Sequence, residues 1–446
     1  MSHISLNNTS DPAHSTFTIL PPNRGGSWHI GDQLEVLIKM YDFHGHPKKS
    51  GGDFLLARLH NPSLYAGVAG HVLDHGNGSY TAVFSLLWEG RAQVEVILVH
   101  PSEGVTVLQK LTKDQPDRIY FRSLFRLGSV EKNTTWSPTL KEDSDRTYSQ
   151  LRRSFFQSDL NMKVSIPDSG PSHIQVLNQM DHLNRSAFNF PWDYPAGMRN
   201  TVKTKPTGYY YQGAWRSLDG STVHQFNTIT AISQCLKNKV LHLYGDSTIR
   251  QWFEYFKKSL PDLKEFDLQS TNQTGPFLAL DYANNILMTF HSHGPPIRFG
   301  SMPVSQLRYI ANKLDHVVGG TRTVIVIGIW SHFSTFPIEV YIRRLLNIRK
   351  AVVRMLKRAP GTLVIIRTAN PKALTLYETL TNSDWYSLQR DKVLRAIFKR
   401  VKVRLVDAWE MTLAHHLPHA LHPHPPIVKN MIDVILSYIC PTADNL

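Results

Sequence analysis

Along the first part of the chain, apolar and polar residues alternate with a period of two. Residues 15–20, 33–41, 80–88 and 92–100 all show it, as strands with one buried face do. Glu89-Gly90-Arg91 has turn chemistry and predicts that the last two strands pair as a hairpin. After about residue 200 the rhythm changes. Short apolar runs at 240–244, 286–290, 323–329, 363–367 and 403–406 read as strands buried on both faces. Segments with a 3.6-residue period at 248–260, 338–358, 385–400 and 427–439 fall between or after them and read as helices.

This organisation predicts an α/β chain in four parts: a tail at 1–13, a sandwich at 14–125, a linker at 126–200 and a second domain at 201–446. The sandwich is expected to be of immunoglobulin or filamin type, without the Cys-Trp-Cys pattern of a true immunoglobulin domain. Asn, Ser, Thr, Asp and Pro dominate the linker, which predicts irregular structure. The second domain is expected to be a doubly wound parallel sheet. Ligands bind such sheets at the carboxyl ends of the strands.

Gly245-Asp246-Ser247 sits where the first of those parallel strands gives way to a helix. A strand–turn–helix lifts one hydroxyl onto a sharp corner and points fresh helix N–H groups at whatever it attacks. Ser247 is therefore the candidate nucleophile. A serine needs a base, and the dense histidine supply lies after the last strand, at His415, His416, His419, His422 and His424. His422 is favoured because Pro423 fixes its backbone in an extended form. Asp407, ending the last strand, is the candidate orienting carboxylate, with a helix or turn cap as its competing role. Ser247 N–H, Gly328 and His332 are the oxyanion candidates. The competing role of His332, and the favoured one, is a structural histidine at a strand end. The histidine spacing matches no zinc signature, so no metal is expected.

Composition narrows the setting. The 446 residues are 41% hydrophobic and carry a net charge of +14. Such a charge favours anionic partners, acidic glycans among them. The densest basic run, from Arg343 to Arg358, keeps helical spacing and reads as an amphipathic helix with a solvated face. No nucleic-acid module accompanies it, and no apolar run reaches membrane-span length. The N-terminus has neither a basic nor an apolar signal region, so a targeting segment is expected to be absent from this chain. Asn7, Asn8, Asn77, Asn133, Asn184 and Asn272 begin glycosylation sequons, which point to the secretory route; Asn77 lies in an evident turn. Cys235 and Cys440 are either one bridge or two buried thiols.

At these residues the chain resembles the neurexophilin and PC-esterase domain (NXPE) family, a branch of the SGNH hydrolases. The likeness rests on residues 51–58, 77–80, 88–90 and 100–103, and on 244–252, 337–344, 407–412 and 436–440. It implies a secreted or Golgi-lumenal glycoprotein. It also implies a serine O-acetyltransferase or esterase acting on glycans, with sialic acid a substrate candidate. Ser247 would be the nucleophile, His422 the base and Asp407 their partner, with an acetyl donor such as acetyl-CoA in the transferase case. The alternative is a secreted binding protein with a decayed site, engaging a cell-surface protein through its N-terminal domain. The chain departs from the superfamily where Asp-x-x-His becomes His419-Ala420-Leu421-His422, and where no Gly-x-Asn block is recognisable at 328–332.

Overall fold

The computed structural model describes residues 5–22, 27–114, 121–127, 130–136, 205–270, 273–294, 296, 309–334, 336–372, 375, 378, 379 and 382–441. Asn184 and Asn272 lie outside them, as does most of the expected linker; Asn77 is exposed. Asn133 lies on the strand Val130–Trp136, where only the backbone is described.

The N-terminal part is built of β1 (Thr16–Ile19), β2 (Gln33–Lys39), β3 (Phe54–Asn61), β4 (Ala66–Ala69), β5 (His71–Asp74), β6 (Ser79–Ser85) and β7 (Gln93–His100). One sheet runs β1-β2-β6-β5. The other runs β11-β10-β4-β3-β7, in which β10 is Gly208–Tyr211 and β11 is Ala214–Ser217. Alternation on β2 buries Leu34, Val36 and Ile38 and leaves Gln33 and Lys39 exposed. These side chains meet Ala57, Leu59 and Val68 of the second sheet in one apolar core.

Two expectations fail here. Residues 80–88 and 92–100 do not form a hairpin. Both edges of β6 are taken by β2 and β5, so Gly90 turns the chain into the other sheet, where β7 pairs with β3. The expected boundaries fail as well. Helix α1 (Ser102–Asp114) follows β7, and the hairpin of β8 (Phe121–Leu127) and β9 (Val130–Trp136) spans the sandwich–linker boundary at residue 126. β10 and β11, placed by sequence in the second domain, instead extend the N-terminal sheet through Tyr210 opposite Gly67.

The second domain carries a seven-stranded sheet, β13-β14-β15-β12-β16-β17-β18. Its parallel strands are β12 (Val240–Gly245), β15 (Ile286–Ser292), β16 (Thr323–Gly328), β17 (Leu363–Arg367) and β18 (Arg404–Val406). β13 (Lys264–Phe266) and β14 (Phe277–Asp281) add antiparallel at one edge. Strand β16 is buried throughout and splits its side chains by parity. Val324 and Val326 join the core under α2 (Ile229–Leu236), α3 (Ser247–Ser259), α7 (Ala408–Ala414) and α8 (Pro425–Ile439). Ile325 and Ile327 join the core under α4 (Ile310–His316), α5 (Ile338–Arg358) and α6 (Asp384–Phe398). Helices thus cover both faces, as a buried parallel sheet requires. Among the described residues no helix is long and apolar enough to cross a membrane.

A bridge joins Cys235 on α2 to Cys440 at the end of α8. A further core of Leu56, Val99, Trp330, Ala369, Trp409 and Leu413 seats the N-terminal sheet on the α/β domain. The basic helix is α5, but Arg344 does not belong to its solvated face. That guanidinium is buried, donates to the His293 carbonyl at 3.0 Å and stacks 3.8 Å above the Tyr309 ring.

Candidate active site

The connection after β12 leads to the β15 side of the sheet and the one after β16 to the β17 side, so a crevice opens between the carboxyl ends of these neighbours. Ser247 stands there as the first residue of α3. Two local features fix the corner. Asp246 caps the helix, accepting from Thr248 N at 2.9 Å and Thr248 Oγ1 at 2.6 Å. Gly245 lets the turn pass close to β16, because a Cβ there would sit 2.3 Å from the Gly328 carbonyl oxygen and 2.6 Å from Ile249 Cγ1.

His422 approaches from the loop between α7 and α8. Its Nε2 lies 2.7 Å from Ser247 Oγ, although 175 residues separate the two. The loop is held on either side of the ring. Asn370 Nδ2 donates to the Ala420 carbonyl at 3.0 Å, and Gln251 Nε2 of α3 donates to the Pro423 carbonyl at 2.9 Å. Both Ser247 and His422 line a cavity of about 220 Å³, together with Arg250, Ser331, His332 and Asn382.

The electrostatics favour the neutral form of the His422 imidazole. Loss of hydration pushes the His422 pKa below its ordinary value, and the cations of Arg250 and Arg367 add to this. The Asp246 carboxylate opposes them. A neutral imidazole can accept the serine proton; an imidazolium cannot.

Two family models match this chain. Residues 215–440 match the one described as NXPE family member 4-like, C-terminal domain, and residues 4–155 match Neurexophilin. The chain belongs to the NXPE family. Among solved structures, it is similar to the carbohydrate acetylesterase Est24 from Sinorhizobium meliloti, at 12% identity and a TM-score of 0.30, over 45% of this chain and 98% of that one. It is also similar to the acetyl xylan esterase Est2A from the rumen bacterium Butyrivibrio proteoclasticus, at 9% identity and a TM-score of 0.22, over 98% and 96%.

The residues singled out by sequence fare unequally in this NXPE chain. Ser247 and His422 meet. Asp407 does not join them. Its two oxygens take Arg395 NH1 at 2.9 Å and NH2 at 2.7 Å, and one also caps α7 through Glu410 N at 3.1 Å. The strand end sends it toward α6, away from the crevice. Gly328 is also not among the residues lining the cavity. Its carbonyl accepts Asp246 N–H at 3.2 Å, and its missing side chain makes room for Ile249. His332 does line the cavity, with Nδ1 3.2 Å from Nε2 of the buried His293. The remaining loop histidines turn elsewhere. His415 packs edge-on against Tyr210 and stacks with His416, and burial pushes the pKa of His419 down to about 4. Among the described residues no three His, Cys, Asp or Glu side chains converge to hold a metal ion.

Three site residues went unnoticed in the sequence. Asp246 is more than part of the turn: its charge reaches His422, ahead of the weaker contribution of Glu254. Its other oxygen accepts from Ser331 N at 3.4 Å, tying α3 to the end of β16. Arg250 is one helical turn beyond Ser247, a spacing that places it at the cavity. Asn382 gave no signal, because it stands among residues without a recognisable motif. Its Oδ1 accepts from Lys372 Nζ at 3.0 Å and from Ser334 Oγ at 2.5 Å, which fixes the amide with Nδ2 toward Ser331 Oγ at 3.2 Å.

Proposed function

We propose that this NXPE chain is a serine-dependent O-acyl esterase or acyltransferase acting on glycan hydroxyl esters. The observation that carries the reading is the 2.7 Å contact between His422 Nε2 and Ser247 Oγ, set in a cavity at a helix N-terminus. His422 takes the Oγ proton as Ser247 attacks the ester carbonyl carbon. The oxyanion that forms faces the Ser247 N–H, one of the first-turn donors with no partner inside the helix. The Asn382 amide lines the same cavity and is the second candidate donor. Collapse breaks the bond to the leaving alkoxide, which takes the proton from His422, and leaves an acyl-serine. A second hydroxyl, from water or from a sugar, then repeats the sequence in reverse.

The pair works without a carboxylate on the imidazole. Among the described residues no carboxylate is hydrogen-bonded to His422, and the nearby Asp246 charge stabilises the transient imidazolium instead. The +14 chain suits an acidic glycan, sialylated ones among them. The Cys235–Cys440 bridge supports a secretory-pathway setting. The paired N-terminal sheets are proposed to follow the immunoglobulin or filamin type.

Labelling by a fluorophosphonate tests the nucleophile. The folded protein labels, and Ser247→Ala abolishes both labelling and acetyl release from O-acetylated glycans. A folded wild-type chain that neither labels nor moves acetyl groups overturns the reading in favour of a binding protein.

A further inference from the structure

We propose that Arg58 is a positioning residue for His422: the N-terminal sheet holds the loop that presents the base. This rests on the serine-hydrolase reading above. Arg58 stands on β3, and its side chain is 8% exposed. NH1 donates to the carbonyls of His415 and, at 3.2 Å, Leu417, the first residues of the histidine loop. The opposite edge of the guanidinium is held by Glu95 on β7, directly across from Arg58 in the strand pairing, with Nε 2.6 Å from Glu95 Oε2. The fork is therefore aimed before the loop meets it, and little side-chain entropy is lost in making the contact.

The same loop is pressed from below. A Cβ on Gly67 of β4 would lie 2.0 Å from the Ala414 carbonyl oxygen, so β4 touches the segment where α7 ends. From Leu417 the chain runs only five residues to His422. The other two anchors, Asn370 and Gln251, come from the α/β domain. Arg58 supplies the third from the other domain. Burial holds His415, His416 and His419 below their ordinary pKa, and the Arg58 charge adds to it, so the neighbouring rings favour the uncharged form beside it. Neighbouring strand β7 also touches the α/β domain beside a cavity residue. His100 Nε2 lies 2.5 Å from Ser383 Oγ, next to Asn382.

The test uses the full chain carrying Arg58→Met, with Arg58→Lys as the conservative variant. Arg58→Met is expected to slow fluorophosphonate labelling and lower kcat on p-nitrophenyl acetate by about tenfold or more, with KM nearly unchanged. A released loop rehydrates His422 and raises its pKa, so the acid limb of the rate profile moves to higher pH. Arg58→Lys restores part of the rate. Hydrogen exchange in the 415–424 peptide, read by mass spectrometry, speeds up in Arg58→Met. Wild-type rate, pH limb and exchange in a folded Arg58→Met overturn the proposal. If Arg58→Met does not fold, Glu95→Gln, which loosens the fork while keeping it, is read by the same measurements. A wild-type chain that does not label refutes the hydrolase reading. Unchanged exchange at 415–424 refutes the brace whether or not the chain labels.

Discussion

Gly245→Ala offers the sharpest test of how the nucleophile is placed. The added methyl would lie 2.3 Å from the Gly328 carbonyl oxygen and 2.6 and 2.9 Å from Ile249 Cγ1 and Cβ. Ordinary carbon contacts need about 3.5 Å, so roughly 1 Å must be found. Ile249 Cγ1 can yield by changing rotamer, but Ile249 Cβ is fixed by the α3 backbone and the Gly328 carbonyl by the central strand. The strand and α3 must therefore part at the residue before Asp246. Overpacking of this kind costs about 1–3 kcal/mol. Catalysis suffers more. A shift of about 1 Å at Ser247 stretches the 2.7 Å contact to His422 beyond hydrogen-bond range, and misplacement of that size costs about a hundredfold in rate. Gly328→Ala separates the causes. The nearest atoms to its methyl are Ile249 Cδ1 and Cγ1 at 2.7 Å and, at 3.3 Å, Arg367 Cβ. Adding Ile249→Ala should restore Gly328→Ala but not Gly245→Ala. Fluorophosphonate labelling rate and kcat on p-nitrophenyl acetate, beside a thermal melt, read the outcome. Wild-type labelling by a folded Gly245→Ala refutes the reasoning.

Because His422 is held below its usual pKa of 6.5 and must be neutral to act, kcat/KM should fall with acidification only below that value; Asp246→Asn, which removes the charge favouring the imidazolium, should move the limb to still lower pH, and movement upward would count against it. Asp407→Asn should cost about 1–3 kcal/mol of stability through weakened hydrogen bonding to Arg395 and so lower the melting temperature, while labelling at room temperature stays at the wild-type rate; loss of labelling in the folded variant would return Asp407 to the mechanism. The Cys235–Cys440 bridge closes a separation of 205 residues, for which chain entropy sets a ceiling of about 5 kcal/mol. Reduction should lower the urea midpoint of the α/β domain, and an unchanged midpoint would mean that α2 and α8 stay docked without it.

The parallel strands were legible because each is a short apolar run, and α5 was legible because 21 residues keep one period. Ser247 was legible because strand, turn and helix are contiguous. His422 followed from topology, since the loop after the last strand returns to the crevice. What pattern could not show was partnership. Asp407 has the chemistry of an orienting carboxylate, but Arg395 lies twelve residues upstream on α6 and takes both its oxygens. The false hairpin at 80–100 had the right turn residues. Sheet membership is decided by which edges are already paired, and that information is non-local. β10 and β11 were missed for the same reason: Tyr209, Tyr210 and Tyr211 are ordinary β formers, and only β4 tells them which sheet to join.

That strand pair has a practical consequence for cutting the protein. The NXPE4-like match begins at residue 215, and Tyr211 pairs with Ala214 inside the hairpin just before it. A fragment started there would keep β11 without its partner and lose the Tyr210 ring from between Trp215 and His415. The complementary fragment would keep β10 on β4 but leave the outer edge of β10 bare where β11 had paired, an invitation to intermolecular pairing. The hairpin works as a tenon: coded with one domain, it is seated in the other. A soluble α/β fragment should therefore begin upstream of residue 208 and be expressed together with its N-terminal half.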